Sequence, residues 1–357
     1  MFAVPGIAQE SHSPLSRGTL LAPKAFRAAA AKVQPSVVRI EGFGGLTAGA
    51  VGGGYQAPGE GPTTGLILSS DGYIVTSTFN FIRKPPVITV VLESGERHIA
   101  NLLGRDETRR ICVLKVGGVS DLPVPKIAPR SELKVGQWAV AIGVGFGGNQ
   151  PALSTGIISA TSRISTKAVQ TDANTSPANY GGPLVDLDGR VIGICVPLSP
   201  GGKGDAAGSE WYDSGIGFAA SLDGLESILD RLKAGETLKA GFLGVQVEPA
   251  GKPAEGKFES GVVVKEVLPD SPAAKAGLEK GDKLVSIAGA KILDPAHLVS
   301  LVGRHLSGDN VELDIQRGEE SKKLEVTLAD APPPMPMMPP MPAAEGQPKD
   351  DEKPPPK

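Results

Sequence analysis

The sequence predicts a mainly β protein made of two strand-rich units, a larger one followed by a smaller one that mixes strands with a helix. Three observations predict it. Gly (47 residues) and Pro (32) are abundant while aromatics make up only 4%, which suits many short strands joined by turns better than a helical bundle. Short apolar runs recur along the chain, separated by clusters of Gly, Pro, Asp and Ser. With 357 residues and 40% hydrophobic content, the chain is long enough to bury two cores and still carry flexible ends.

Taken in order, residues 1–24 read as an N-terminal arm. Its start, Met1 to Gln9, has a short apolar piece ending in Pro5-Gly6-Ile7-Ala8, like the remnant of a secretory signal without a basic start, or equally like a plain disordered arm. An amphipathic stretch from Phe26 to Val38 follows, and a Gly-rich segment, Gly42 to Gly65, is expected to be a mobile loop. Strands are expected at Leu66–Leu68, Tyr73–Thr76, Val87–Leu92, Ile111–Val116, Trp138–Ile142, Gly156–Ala160, Val191–Val196 and Ile216–Phe218. Their rhythm suggests a closed barrel or sandwich. A helix over Asp223 to Lys233, with Leu225, Ile228, Leu229 and Leu232 on one face and Gly235 closing it, ends the first unit, residues 25–238. Residues 239–330 form the second, whose helix is announced by Asp294 as N-cap and Pro295 at the first helical position. The tail, residues 331–357, is Pro-rich and holds four of the five Met residues, so it is expected to stay extended and disordered.

Charge and composition exclude several classes. Lys plus Arg number 36 against 39 Asp plus Glu, a balance that gives no reason to expect a nucleic-acid partner. No run of eighteen or more apolar residues marks a transmembrane segment. Cys112 and Cys195 lie inside apolar runs, where a free thiol usually packs as a small hydrophobe. Neither a metal-ligand cluster nor a phosphate-binding glycine loop stands out, so no cofactor is expected.

Four motifs in series then carry a resemblance: Thr64 through Thr76 (TGLILSSDGYIVT), Ile111 through Val116 (ICVLKV), Gln170-Thr171-Asp172, and Gly181 through Ile194 (GGPLVDLDGRVIGI). In this order and spacing they are similar to the protease domain of the HtrA family. The resemblance covers about residues 25 to 235 and implies a trypsin-like double β-barrel with the active site in the cleft between barrels. In that family a His ends the first motif, an Asp precedes the second and a Ser stands directly before Gly-Gly-Pro-Leu, because hydrolysis needs a hydroxyl nucleophile, an imidazole to take its proton and a carboxylate to orient the imidazolium. Here those positions hold Phe79, Arg110 and Tyr180. The oxyanion turn is altered as well, with Ala178, where the family usually has Gly, followed by Asn179. The four histidines, His12, His98, His297 and His305, lie elsewhere in the chain, and a phenol with an ordinary pKa of about 10 is protonated at neutral pH. Packing is expected to replace chemistry, with the two rings and the Arg110 guanidinium filling the emptied cleft.

The second unit resembles a PDZ domain through Gly241-Phe242-Leu243-Gly244-Val245, Ser271 through Leu278 (SPAAKAGL), Gly281-Asp282-Lys283-Leu284 and Gly308-Asp309. The resemblance implies that the loop Phe242, Leu243, Gly244, Val245 captures a terminal carboxylate with backbone N–H groups while a peptide adds as a strand beside it. On the helix, His297, Leu301 and Arg304 are expected to line that groove and Leu298 and Val302 to pack inward, with His297 equally readable as an ordinary surface residue of the helix.

Three functions follow. The leading one is a catalytically inactive binder of protein C-termini and unfolded segments, acting as a scaffold or chaperone-like quality-control factor. The second is a regulatory subunit that assembles with active relatives, since the family commonly forms trimers. The third is a serine-type endopeptidase, which the emptied triad disfavours. The family implies an extracytoplasmic, periplasmic location.

Overall fold

The structure, a computed structural model, describes residues 14–43, 62–145, 150–199, 208, 214–251 and 259–331, with the side chains of 14–20 excepted. The stretch Met1 to Gln9, most of the Gly-rich segment and the Pro-rich tail beyond residue 331 lie outside the described residues.

The first helix, α1 (Pro14–Val33), begins well before Ala25. Its inner face sets Phe26 edge-on against Trp138, ring centroids 5.2 Å apart, and buries Ala29, Ala30 and Val33. Six strands then close a barrel: β1 (Val37–Phe43), β2 (Thr63–Ile67), β3 (Tyr73–Ser77), β4 (Val87–Val91), β5 (Arg97–Asp106) and β6 (Ile111–Val116), in the order β5-β4-β1-β2-β3-β6 with β6 returning to β5. The ends of the Gly-rich segment are therefore strand: β1 runs to Phe43 and β2 starts at Thr63. A second closed barrel follows, built from β7 (Trp138–Gly143), β8 (Ala152–Arg163), β9 (Ala168–Thr171), β10 (Pro183–Val185), β11 (Val191–Cys195) and β12 (Gly217–Ser221).

Strand alternation distributes the apolar residues among three cores. Side chains point to opposite faces at successive positions, so Ile40, Ile74 and Leu114 fill the first barrel while Val37, Val75 and Val113 face outward into a seam between barrels. Barrel two mirrors this, with Ala139 and Ala141 inside and Val140 and Ile142 in the seam. Strands covered on both faces become continuous apolar runs. The helix α2 (Glu226–Lys233) starts a turn later than its sequence signals suggest, drops Ile228 and Leu232 into the same seam and ends at Gly235, φ +88°. Cys112 and Cys195 are buried in different cores and are not bonded to each other; burial pushes the Cys195 thiol up to about 12, which leaves it protonated and unreactive.

A short strand, β13 (Thr237–Leu238), runs parallel to the end of β5 and hands the chain to the second unit. There β14 (Gly241–Phe242) pairs with β21 (Ala329–Asp330), and the main sheet comprises β15 (Val245–Pro249), β16 (Val262–Val267), β17 (Lys283–Ile287), β19 (Asn310–Arg317) and β20 (Glu320–Thr327), with β18 (Ala290–Lys291) beside β17. The one-turn helix α3 (Pro272–Lys275) is capped by Ser271, whose hydroxyl accepts the Ala274 N–H at 3.2 Å. Helix α4 (Pro295–Val302) is capped as the sequence signals it, with Asp294 Oδ1 accepting the His297 N–H at 2.8 Å.

Candidate functional site

The turn after β3 carries Phe79, the first of the three positions that the HtrA resemblance aligns with catalytic residues. Ser77 opens a 3-10 turn, Thr78–Phe81, by accepting the Phe79 N–H on its hydroxyl at 3.3 Å. The Thr78 N–H donates to the Arg110 carbonyl at 2.9 Å, and Arg110 sits left-handed at φ +58° to present it. Such a φ is uncommon for a residue with a side chain, and here it joins the ends of β3 and β6.

Tyr180 comes from the turn before β10, and its ring meets that of Phe79 edge to face, centroids 5.2 Å apart at 76°. Both are 2% exposed. This is a favoured aromatic geometry, worth about 0.5–1.5 kcal/mol beyond area burial. The structure thus brings Phe79 and Tyr180 together and sets the Arg110 backbone beside them, half-buried.

A polar seam ties the two turns across the cleft. Asn80 donates from Nδ2 to the Thr76 hydroxyl at 2.8 Å and to the Tyr180 carbonyl at 3.1 Å. Thr76 donates to the Thr64 carbonyl at 2.6 Å, and the Thr64 hydroxyl donates to the Ala178 carbonyl at 3.1 Å while accepting the Val144 N–H at 2.9 Å. Thr64, Thr76 and Asn80 were not singled out by the sequence as site residues. Gly181 fits here only because it lacks a side chain: at φ +88°, an added Cβ would come within 2.2 Å of the Thr64 carbonyl and the Thr76 hydroxyl.

The neighbouring turn has its own internal bonding. The Ala178 N–H donates to the Ser176 hydroxyl at 3.2 Å, and the N–H groups of Asn179 and Tyr180 both donate to the Ser176 carbonyl, at 2.9 and 3.0 Å. Asn179 closes it, its Oδ1 accepting the Ser176 N–H at 2.8 Å. An oxyanion site requires backbone N–H groups aimed at open space where charge develops; those of positions 178 and 180 are bonded within the turn. A cleft of about 250 Å³ borders it, lined by Leu153, Asn174, Ser176 and Asn179 among others. The described histidines sit on other elements: His98 in β5 near Glu96, His297 on α4 and His305 beside Asp309.

In the second unit, β15 lies at an open edge of its sheet, with α4 packed beside it. The loop before β15 is tied down through its carbonyls: Leu243 accepts the Ala273 N–H and Gly244 the Leu268 N–H, both at 2.9 Å. Gly244 has φ +83°, and a Cβ there would meet that of Ser271 at 2.2 Å. The helix differs from the expectation. Leu301 is 2% exposed and packs inward with Leu298 and Val302, because positions i, i+3 and i+4 share one helix face. Arg304 falls beyond the helix end at Val302, is exposed, and adds a smaller like-charge effect to the burial that lowers the pKa of Arg130 in the first unit. His297 stays at the surface, with Nδ1 accepting the Leu293 N–H at 3.3 Å.

Comparison with known proteins adds the rest. Residues 63–194 match the trypsin-like peptidase domain family and residues 241–328 the PDZ domain family. A protein of Halomonas elongata named "Probable periplasmic serine endoprotease DegP-like" is 34% identical over 278 residues, 75% of this chain and 56% of the relative. One of the same name from Pseudomonas fulva is 34% identical over 290 residues, 79% of this chain and 58% of the relative. The chain therefore spans little more than half the length of these curated relatives. Among solved structures, the HtrA-type protease AlgW with a tripeptide superposes with a TM-score of 0.64 at 28% identity, over 87% of this chain and 98% of that one. A serine endoprotease from Yersinia pestis shares the fold at 24% identity with a TM-score of 0.61, over 86% of this chain and 98% of that one.

Proposed function

The chain is an HtrA/DegP-like protein, a trypsin-like peptidase domain followed by a PDZ domain, and from that premise we propose that it works as a non-catalytic binder of protein C-termini and extended segments. In this reading the PDZ groove does the binding, through the loop Phe242 to Val245 and the open edge of β15, and the paired barrels serve as a scaffold in an extracytoplasmic compartment.

The observation that carries the reading is the composition of the cleft. In the register that the HtrA resemblance gives, Phe79, Arg110 and Tyr180 take the positions of imidazole, carboxylate and hydroxyl, and the rings of Phe79 and Tyr180 meet edge to face with centroids 5.2 Å apart. A phenylalanine accepts no proton. Losing nucleophile and base in comparable enzymes removes on the order of a millionfold in turnover.

Two results are expected. The purified chain, given an unfolded protein and a serine-reactive phosphonate probe, neither cleaves nor becomes labelled; cleavage that persists through further purification would end the reading. A screen of peptides with free C-termini finds binders, and Gly244→Val weakens them at least roughly tenfold, because the new side chain needs the space held by Ser271 and a φ that β-branched residues avoid. Unchanged affinities in that variant would remove the groove from the account.

A further inference from the structure

Where the two barrels meet the PDZ domain, the structure buries an ammonium group that no side chain or carbonyl of the described residues receives. Lys167, between β8 and β9, is 5% exposed and its Nζ has no hydrogen-bond partner among the described residues. It ends a turn in which Ile164, Ser165 and Thr166 are all left-handed, at φ 50°, 52° and 67°, a run that residues with side chains hold only under constraint from outside. The constraint comes from two sides. Arg130 donates to the carbonyls of Thr166 and Thr161. On the PDZ side, Ser165 lies so near Gly303 that an added Cβ would stand 2.5 Å from its hydroxyl. Leu306 completes the contact by joining the core cluster of Leu232 and Leu238.

Charged groups from every element at this junction act on one another. Asp106 at the end of β5, Arg109 from the turn that follows it, and Asp309 from the PDZ domain act on Lys167. Asp309, Lys167 and Arg304 act on His305, and Asp223, Arg304 and Arg109 act on Arg130. The carboxylates are already engaged: Asp106 accepts from Arg109 at 2.8 Å and from the Thr108 N–H and hydroxyl at 2.8 and 2.6 Å, and Asp309 accepts the Leu306 N–H at 2.7 Å. The Lys167 charge is balanced only at a distance, with no carboxylate of the described residues in direct contact with it.

We propose that Lys167 makes the seat of the PDZ domain on the barrels a proton-controlled contact, which tightens as pH rises and loosens as pH falls. Opening the junction returns the ammonium to water, whereas closing it strips that water away. Burial accordingly pushes Lys167 from 10.5 down to about 8. His305 is lowered too, first by burial and then by the Lys167 and Arg304 charges, against an opposing pull from Asp309. The sign follows from proton counting. Between about 8 and 10.5 the open form holds a proton on Lys167 that the seated form has released, so raising pH through that window favours seating. Below it both forms are charged and the seated form carries the desolvation cost in full. Protonation of His305 below 6.5 adds to the opening in the same direction. The device operates whether or not the interbarrel cleft is catalytic.

The test is resonance energy transfer between dyes on Glu96→Cys, in the turn between β4 and β5, and Glu320→Cys, in the PDZ domain. The native thiols of Cys112 and Cys195 are fully buried and escape labelling. In the parent, the ratio of seated to open molecules should rise on the order of tenfold or more from pH 7 to pH 9.5. Lys167→Met, which keeps length and removes charge, should remain seated across that range. A parent signal independent of pH overturns the proposal, and so does a Lys167→Met protein that follows the parent curve. Should Lys167→Met fail to fold, His305→Gln carries the decision: the change below pH 6.5 must disappear in it, and its persistence counts against the junction.

Discussion

Phe79→Ala should destabilise the barrel pair by about 3 to 5 kcal/mol, the range for emptying a buried aromatic position. Phe79 is among the largest fully buried side chains, and its ring touches Tyr180 in the seam where both barrels contribute walls. The site has little freedom to collapse. Tyr180 is anchored through its carbonyl to Asn80, and Gly181 beside it is wedged against Thr64 and Thr76, so the neighbours cannot slide into the void. For a unit of some 200 residues the loss corresponds to a fall in melting temperature of roughly 6 to 20 °C. Tryptophan emission reads it selectively, because Trp138 and Trp211 both precede the PDZ domain. A variant that melts within about a degree of the parent would mean that the rings do not carry the cleft.

How much of this was legible in the sequence depended on burial. The runs Ile111–Val116, Trp138–Gly143 and Val191–Cys195 are covered on both faces, so they stand out as uninterrupted apolar segments. Strands with one wet face were harder to see. β1 interleaves Arg39 and Glu41 with Val38 and Ile40, and β5 opens on Arg97, His98 and an exposed Ile99 before its buried Ala100. The three-residue β10 is too short for any period. In the PDZ helix, a spacing of i, i+4, i+7 put Leu301 in the groove, but the stronger pairing with Leu298 at i+3 pulls it into the core. Polar residues drawn together by closure carried no signal at all. Thr64, Thr76 and Asn80 become a seam only once the barrels face each other across the cleft, and Lys167 reads as an ordinary turn lysine although the fold buries it within reach of the Asp309 charge.

On the proposal that Phe79, Arg110 and Tyr180 hold the catalytic positions, Phe79→His, Arg110→Asp and Tyr180→Ser together should yield a poor enzyme, slower on the order of a hundredfold or more than the same protein carrying Ala178→Gly as well. The reason lies in the turn between Ser176 and Gly182. Its Ala178 and position-180 N–H groups donate to the Ser176 hydroxyl and carbonyl, so a tetrahedral intermediate would form its oxyanion with donors facing away. Glycine at 178 lowers the cost of rotating that peptide unit outward, since without a Cβ it reaches backbone conformations closed to alanine. The Arg110→Asp change is compatible with the left-handed backbone there, φ +58°, because aspartate tolerates that region better than arginine. Substitution of both rings also costs packing, so folding is checked by tryptophan emission before rates are compared. Hydrolysis of an unfolded protein and labelling by the phosphonate probe supply the rates. If the triple variant already matches the quadruple one, the turn is not a barrier, and the emptied cleft is separated from activity by its three side chains alone.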